Sequence, residues 1–289
     1  MSEPQHGNGE MVPAHVVRDI VARALAEDLG GRGDVTGQAT IPADAVARFE
    51  LRARKAGVLA GRAAAAETFA QVDPSIQVAW HVDDGQALAR GDGIATLSGP
   101  ARSILTAERT ALNFLGRLSG IATLTRAYVD AGTSARIAHT RKTTPGLRAL
   151  ELAAVAAGGG AAHRFGLDDA ILIKDNHVAV CGGVAEAVHR AREYAGHMTR
   201  IAVEIDRLDQ LPEAIEAGAE SVLLDNFSLA DLRAAVQQAA GAGVTLEASG
   251  GVGLETVRAI AETGVDVISV GALTHSAPNL DLGLDTLDS

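Results

Sequence analysis

Apolar residues recur at helical spacing through Val16, Val17, Ile20, Val21, Ala24 and Leu25, which predicts an amphipathic helix closed by Gly30 and Gly31. Between Arg48 and Leu97 the pattern changes to short apolar runs parted by turn residues, at 49–51, 57–61, 76–80 and 94–97. These predict the strands of a small α+β region. Gly99-Pro100 ends that pattern, and Leu105, Leu112, Leu115 and Leu118 then place one or two helices within 104–128.

From residue 135 onward, β-branched strands alternate with Ala-rich helices. Strands are predicted at 135–142, 170–176, 200–205, 221–226, 244–249 and 265–271, and helices at 147–157, 183–195, 208–218, 229–240 and 254–263. Glu204, Asp225, Glu247 and Gly271 follow one another at 21, 22 and 24 residues, the cadence of parallel βα units. A barrel is preferred to an open doubly wound sheet, because every strand ends in a polar residue or glycine, whereas an open sheet gathers its ligands at one switch point. Six strands are too few for the full eight, so a short or incomplete barrel is expected. The chain then divides into a flexible leader (1–13), an N-terminal domain (14–119, joined by 276–289) and a barrel domain (120–275).

Composition narrows the function. Hydrophobic residues make up 47% and charged residues 21%, as in globular chains, while 3% aromatics imply an aliphatic core. A formal charge of −11 argues against nucleic acid or an anionic membrane as partner. A single cysteine, Cys181, no basic or apolar leader, and no apolar run near the roughly 20 residues of a membrane span lead to the expectation of a soluble cytoplasmic protein.

The cations are uneven, with only three lysines, Lys55, Lys142 and Lys174, among 25 basic residues. Within 136–174 six cations stand against three acids, so a positive island sits in a negative chain, as a multiply charged small anion requires. Arg141, Lys142 and Lys174 fall at predicted strand ends, while Lys55 reads equally well as a surface charge. Gly158-Gly-Gly lacks the spacing of a nucleoside-triphosphate loop, His163-Arg164 reads as an anion clamp or a loop end, and no HExxH or paired spacing indicates zinc. Ser249-Gly250-Gly251, with Gly271 after the next strand, fits a backbone phosphate site or a pair of tight turns. Glu204, Asp225 and Glu247 at successive strand ends suit sugar hydroxyls or Mg²⁺.

These residues belong to longer motifs: Thr140-Arg-Lys-Thr-Thr-Pro-Gly-Leu-Arg148, Leu172-Ile-Lys-Asp-Asn-His177, Glu108-Arg-Thr-Ala-Leu-Asn-Phe114, Leu223-Leu-Asp-Asn-Phe227, Glu247-Ala-Ser-Gly-Gly251 and Val270-Gly-Ala-Leu-Thr-His275. As a set they resemble the quinolinate phosphoribosyltransferases over nearly the whole chain beyond residue 30. The resemblance implies the type II phosphoribosyltransferase fold, an α/β sandwich followed by an incomplete α/β barrel. It also implies a homodimer, with assembly above the dimer left open, and a reaction of quinolinate with phosphoribosyl pyrophosphate and Mg²⁺. By that pattern Arg109 enters from the neighbouring subunit. Thr140, Arg141, Lys142, His163, Arg164 and Lys174 surround carboxylates and phosphates, with Lys142 and Lys174 orienting the carboxylate that leaves. Glu204 and Asp225 face the ribose and the metal, mostly through substrate and water, and Ser249, Gly250 and Gly271 hold the 5′-phosphate. His139 stands where the family usually has Asp, Ala162 where Asn is common, and Leu152-Ala153 where Lys-Tyr is frequent. The identity of the acceptor therefore stays open to another pyridine or anion. Two further readings of the same residues are a Schiff-base aldolase built on Lys174 and a silent ligand sensor.

Overall fold

The amphipathic stripe near the N-terminus forms α1 (Ala14–Leu29), which buries Val17, Ile20, Val21 and Leu25. The structure, a computed structural model, describes residues 12–131 and 134–287. Residues 1–11, most of the expected leader, lie outside the described residues. Contacts divide the chain into a first unit, residues up to Thr123 with Thr144–Gly158 and those from Ala277 on, and a second, Leu124–Thr143 with Gly159–Ser276.

In the first unit the short apolar runs become β1 (Val46–Ala53), β2 (Gly57–Val58), β3 (Gln77–Trp80), β4 (Ala87–Leu88) and β5 (Gly93–Pro100). An antiparallel sheet runs in the order of the chain's last strand (Leu282–Thr286), β1, β5 and β3. Alternation along β1 turns Phe49, Leu51 and Ala53 inward, where they join Phe69, Ile94 and Leu97 in one apolar core. Before β1 lies α2 (Val35–Thr40), capped by Asp34 Oδ1 accepting from the Gly37 N–H at 2.9 Å, and between β2 and β3 lies α3 (Arg62–Val72). The apolar pattern of 104–128 is one helix, α4 (Ala101–Asp130), whose Ile104 and Leu115 complete the core. Lys55 stands exposed between β1 and β2.

Helix α5 (Arg148–Ala157) forms where a barrel helix is predicted, yet it groups with the first unit. Its anchor is Glu151, a carboxylate with no exposed surface. Oε1 accepts from Arg117 at 2.9 and 3.1 Å and from the Thr144 hydroxyl at 2.8 Å, and Oε2 accepts from the Thr144 N–H at 3.0 Å. A charge so deeply placed is tolerable only with this many donors around it.

The second unit carries β6 (Arg136–Ala138), β7 (Ile171–Ile173), β8 (Ile201–Ile205), β9 (Ser221–Asp225), β10 (Thr245–Ser249) and β11 (Val267–Ser269). They form one all-parallel sheet in the order β6-β11-β10-β9-β8-β7, the incomplete barrel that the cadence foretold. The central strand β9 has a continuous, fully buried aliphatic run, Val222–Leu224, as parallel strands covered on both faces must have. The predicted strand 135–142 stops at Ala138 because Thr140 Oγ1 accepts from the Lys142 N–H at 3.1 Å and the Arg141 carbonyl from Thr143 at 2.9 Å, turning the chain. The predicted strand 170–176 likewise ends early, at Ile173. There Lys174 caps a helix the pattern did not foretell, α6 (Asp175–Cys181), none of whose residues is buried, so no apolar stripe announces it. The later helices are α7 (Val184–Tyr194), α8 (Leu211–Glu216), α9 (Leu229–Gln238), α10 (Val257–Ala261) and α11 (Ala272–His275).

Replacing Glu151 by Gln removes the buried charge that accepts from Arg117 and is expected to destabilise the protein by about 3 kcal/mol in urea unfolding. The double change Glu151→Leu with Arg117→Met should recover most of that loss.

Candidate active site

In a parallel sheet every strand ends on the same edge, and the side-chain alternation selects which residues share a face there. Pairing sets Glu204 of β8 and Glu247 of β10 both opposite Leu223 of β9, and Ser249 opposite Asp225. Glu204, Asp225, Glu247 and Ser249 therefore lie on one face. Continuing the same alternation one step past β7 and β11 brings Lys174 and Gly271 to that face, and two residues past the end of β6 brings Thr140. Six strand ends thus converge residues that are up to 131 positions apart in the chain, Thr140 to Gly271.

At the β7–β8 end, Lys174 Nζ is ion-paired with Glu204 Oε2. Sequence reading placed these two against different parts of a ligand; here each neutralises the other. On β9, Asp225 is half-buried and its Oδ2 accepts from Asn226 Nδ2 at 2.8 Å. Asn226 itself adopts a left-handed backbone, φ 56°, while donating its N–H to the Ser249 carbonyl at 2.9 Å. That contact draws β9 and β10 so close that a Cβ at Gly250, φ 92°, would overlap the Asn226 side chain. Glycine is required there for sterics as well as for backbone angle. The expected helix 254–263 is only Val257–Ala261, because the Thr256 hydroxyl bonds Gly253 on both its N–H and carbonyl and holds the preceding turn. What the glycine loop offers a phosphate is therefore its own N–H groups rather than the end of a long helix. At Gly271 an added Cβ would stand 3.0 Å from Lys142 Cδ, so the lysine stem lies across that glycine. The Lys142 carbonyl is held at 2.8 Å by the buried Thr274 hydroxyl.

The segment after Gly158 returns beside β6 through a parallel bridge, Ala138 to Ala161, and so delivers His163 and Arg164 next to Thr140 and Arg141. Asp169 folds the loop behind them, accepting from the Phe165 N–H at 2.6 Å and Gly166 N–H at 3.1 Å. Burial pushes the Asp169 carboxyl up, but those N–H donors and Arg164 outweigh it and hold it below the usual range. Arg164 is tethered by one bond, Nη1 to the Ala170 carbonyl at 3.2 Å. Its Nε, like that of Arg141, is buried without a hydrogen-bond partner. Burial and then the neighbouring Arg141 charge pull the Arg164 pKa down, against the pull of Asp169. Two guanidinium groups that repel each other, each with an unsatisfied buried donor, form a site that an anion would complete. Arg109 belongs to the first unit, exposed on α4, and is not part of this convergence.

The model of the quinolinate phosphoribosyl transferase C-terminal domain matches residues 121–285, and that of the N-terminal domain matches residues 34–119. The chain belongs to the quinolinate phosphoribosyltransferase family. Among this family's members, a probable nicotinate-nucleotide pyrophosphorylase [carboxylating] of Bacillus subtilis is 47% identical over 271 residues, covering 93% of each chain. The nicotinate-nucleotide pyrophosphorylase [carboxylating] of Mycobacterium leprae is 46% identical, covering 93% of this chain and 96% of that one. The structure of the nicotinate-nucleotide pyrophosphorylase from Francisella tularensis superposes with a TM-score of 0.91 at 41% identity, covering 97% of this chain and all of that one.

Sequence reading assigned no role to His139 or Asp169, and left Glu247 as a strand-end carboxylate among three. His139 is an isolated histidine in the sequence, and its meaning depends on the loop that returns beside it. Glu204 and Asp225 fit a hard cation of the Mg²⁺ kind, being oxygen donors at adjacent strand ends. Among the described residues no group of three or more His, Cys, Asp or Glu side chains could cage an ion, so such a cation would complete its shell from ligand oxygens and water.

Inorganic phosphate is expected to raise the melting temperature of the wild-type protein by relieving the Arg141–Arg164 repulsion, and to do so much less in Arg164→Ala. Differential scanning fluorimetry across a phosphate titration at constant ionic strength reads this directly.

Proposed function

We infer that this chain catalyses transfer of the phosphoribosyl group of phosphoribosyl pyrophosphate to the ring nitrogen of quinolinate, with loss of CO₂, giving the nicotinate mononucleotide used to make NAD. The observation that carries the reading is the pair of buried, unpartnered guanidinium nitrogens of Arg141 and Arg164 on an otherwise acidic protein, Arg141 being next in the chain to Lys142, whose stem lies across Gly271 after β11. A dicarboxylate and a sugar phosphate are the anions such an edge would bind together. This favours quinolinate over a neutral acceptor and over a lone sugar phosphate held for Schiff-base chemistry.

In this reading Arg141, His163 and Arg164 grip the quinolinate carboxylates, with Thr140 beside them, and aim the ring nitrogen at C1′ of the ribose. Ser249, Gly250 and Gly271 hold the 5′-phosphate, and Glu204 and Asp225 accept from the ribose hydroxyls. Glu204 and Asp225 would hold Mg²⁺, mostly through substrate and water, and the cation would supply charge neutralisation for the pyrophosphate. The C1′–oxygen bond to pyrophosphate breaks as the nitrogen–C1′ bond forms, through an oxocarbenium-like ribose, so placement and electrostatics do the work and no covalent nucleophile is needed. The pyridinium nitrogen then draws in the electron pair freed when the C2–carboxylate bond breaks. CO₂ departs, and C2 takes up a proton. Lys142 and Lys174 orient the leaving carboxylate, Lys174 being released from Glu204 as substrate binds. The catalytic unit is a homodimer in which Arg109 reaches the partner's site. No helix among the described residues is long and apolar enough to cross a membrane, and with one cysteine in the chain the cytoplasm is its place.

Incubation with quinolinate, phosphoribosyl pyrophosphate and Mg²⁺ should yield nicotinate mononucleotide, pyrophosphate and CO₂ in equal amounts; a folded protein that forms none of them would overturn the assignment. Lys174→Ala is expected to lose about a hundredfold in kcat/KM. Mixing two inactive variants, Arg109→Ala and Lys174→Ala, should restore about a quarter of wild-type activity, because half the dimers are hybrids with one intact site.

A further inference from the structure

Strand β6 ends at Ala138, but its hydrogen-bond ladder does not. The Ala161 N–H donates to the Ile137 carbonyl at 2.7 Å, and where the main chain of β6 turns away, a side chain takes over: His139 Nε2 accepts the His163 N–H at 3.1 Å. The two rings meet edge-on with centroids 6.4 Å apart at 62°. An accepting Nε2 leaves the His139 proton on Nδ1. His163 is fixed in the opposite sense, since its Nδ1 accepts the Arg164 N–H at 2.8 Å and its proton must lie on Nε2. That Nε2 stands 3.4 Å from Glu247 Oε1, a buried oxygen that accepts no hydrogen bond. With 3% of its surface exposed, His139 acts through its neighbour rather than on a ligand.

We propose that His139 is a positioning residue for the acceptor half of the reaction, a side-chain rung that holds His163 and Arg164 against β6 and, with Glu247 opposite, keeps the His163 imidazole in the Nε2–H form. The inference rests on the quinolinate reading above. The contacts of this brace involve His139, His163, Arg164 and Glu247 but not Ser249, Gly250 or Gly271 of the phosphate end, so the brace bears on one substrate and spares the other.

Steady-state kinetics on His139→Gln and His139→Asn test this. The Gln Oε1 can reach the place of Nε2, whereas the Asn amide is too short. For His139→Asn the KM for quinolinate is expected to rise about tenfold, the worth of one hydrogen bond, with the KM for phosphoribosyl pyrophosphate within about twofold of wild type. His139→Gln should restore most of the difference. Equal quinolinate KM in His139→Asn and wild type, a parallel rise for both substrates, or a Gln variant no better than Asn would each overturn the brace. A folded wild type without turnover would instead overturn the quinolinate reading, so the two failures are distinguishable.

Discussion

Parallel strands put all their carboxyl ends on one edge, and pleating lets only alternate residues share a face of that edge. In the second unit this constraint assembles the site. Register fixes Glu204 and Glu247 at one level and Ser249 beside Asp225 one pleat above, and the same alternation carries Lys174, Gly271 and Thr140 to the same side. A one-residue slip in any strand would turn its functional side chain to the opposite face. The buried aliphatic bodies of the strands, which permit only one register, are therefore the support of the chemistry at their ends.

On that edge the charges are arranged unequally. Lys174 and Glu204 satisfy each other, and Asp225 is held by Asn226. Arg141 and Arg164 have no such counterpart near enough to fill their buried Nε donors. The unmet electrostatic demand thus lies where two loops, one after β6 and one after Gly158, come together. An anion bound between these two guanidinium groups would offset the repulsion between them. Glu151 shows the contrary solution in the first unit, a buried charge given every donor it can use, which is what a structural carboxylate needs.

Much of this was legible in the chain. The 21 to 24 residue cadence announced parallel βα units, and the strand-end positions of Glu204, Asp225 and Ser249 followed from it. Lys142 and Lys174 stood out as lysines in a chain that writes its cations as Arg. The losses have physical causes. Strands 135–142 and 170–176 were read too long, because local side-chain bonds by Thr140 and the cap at Lys174 end them, and such bonds leave no mark on hydrophobic periodicity. Helix α6 buries nothing and so has no apolar stripe to reveal it. Helix α5 has the pattern of a barrel helix, but a fully buried Glu151 paired with Arg117 ties it to the first unit.

Sequence alone determined the residue types, their order and their spacing: a positive island in a chain of charge −11, carboxylates at regular strand ends, and glycines where a phosphate would approach. Those are local and periodic properties, written in neighbouring residues. Only the tertiary structure decided which groups meet. That Lys174 pairs with Glu204, that the Arg141 charge bears on Arg164, and that His139 accepts the His163 N–H are all interactions across loops and strands. Their partners are separated by 23 to 30 positions, and no periodicity encodes a distance that the sheet's register and the returning loop alone set.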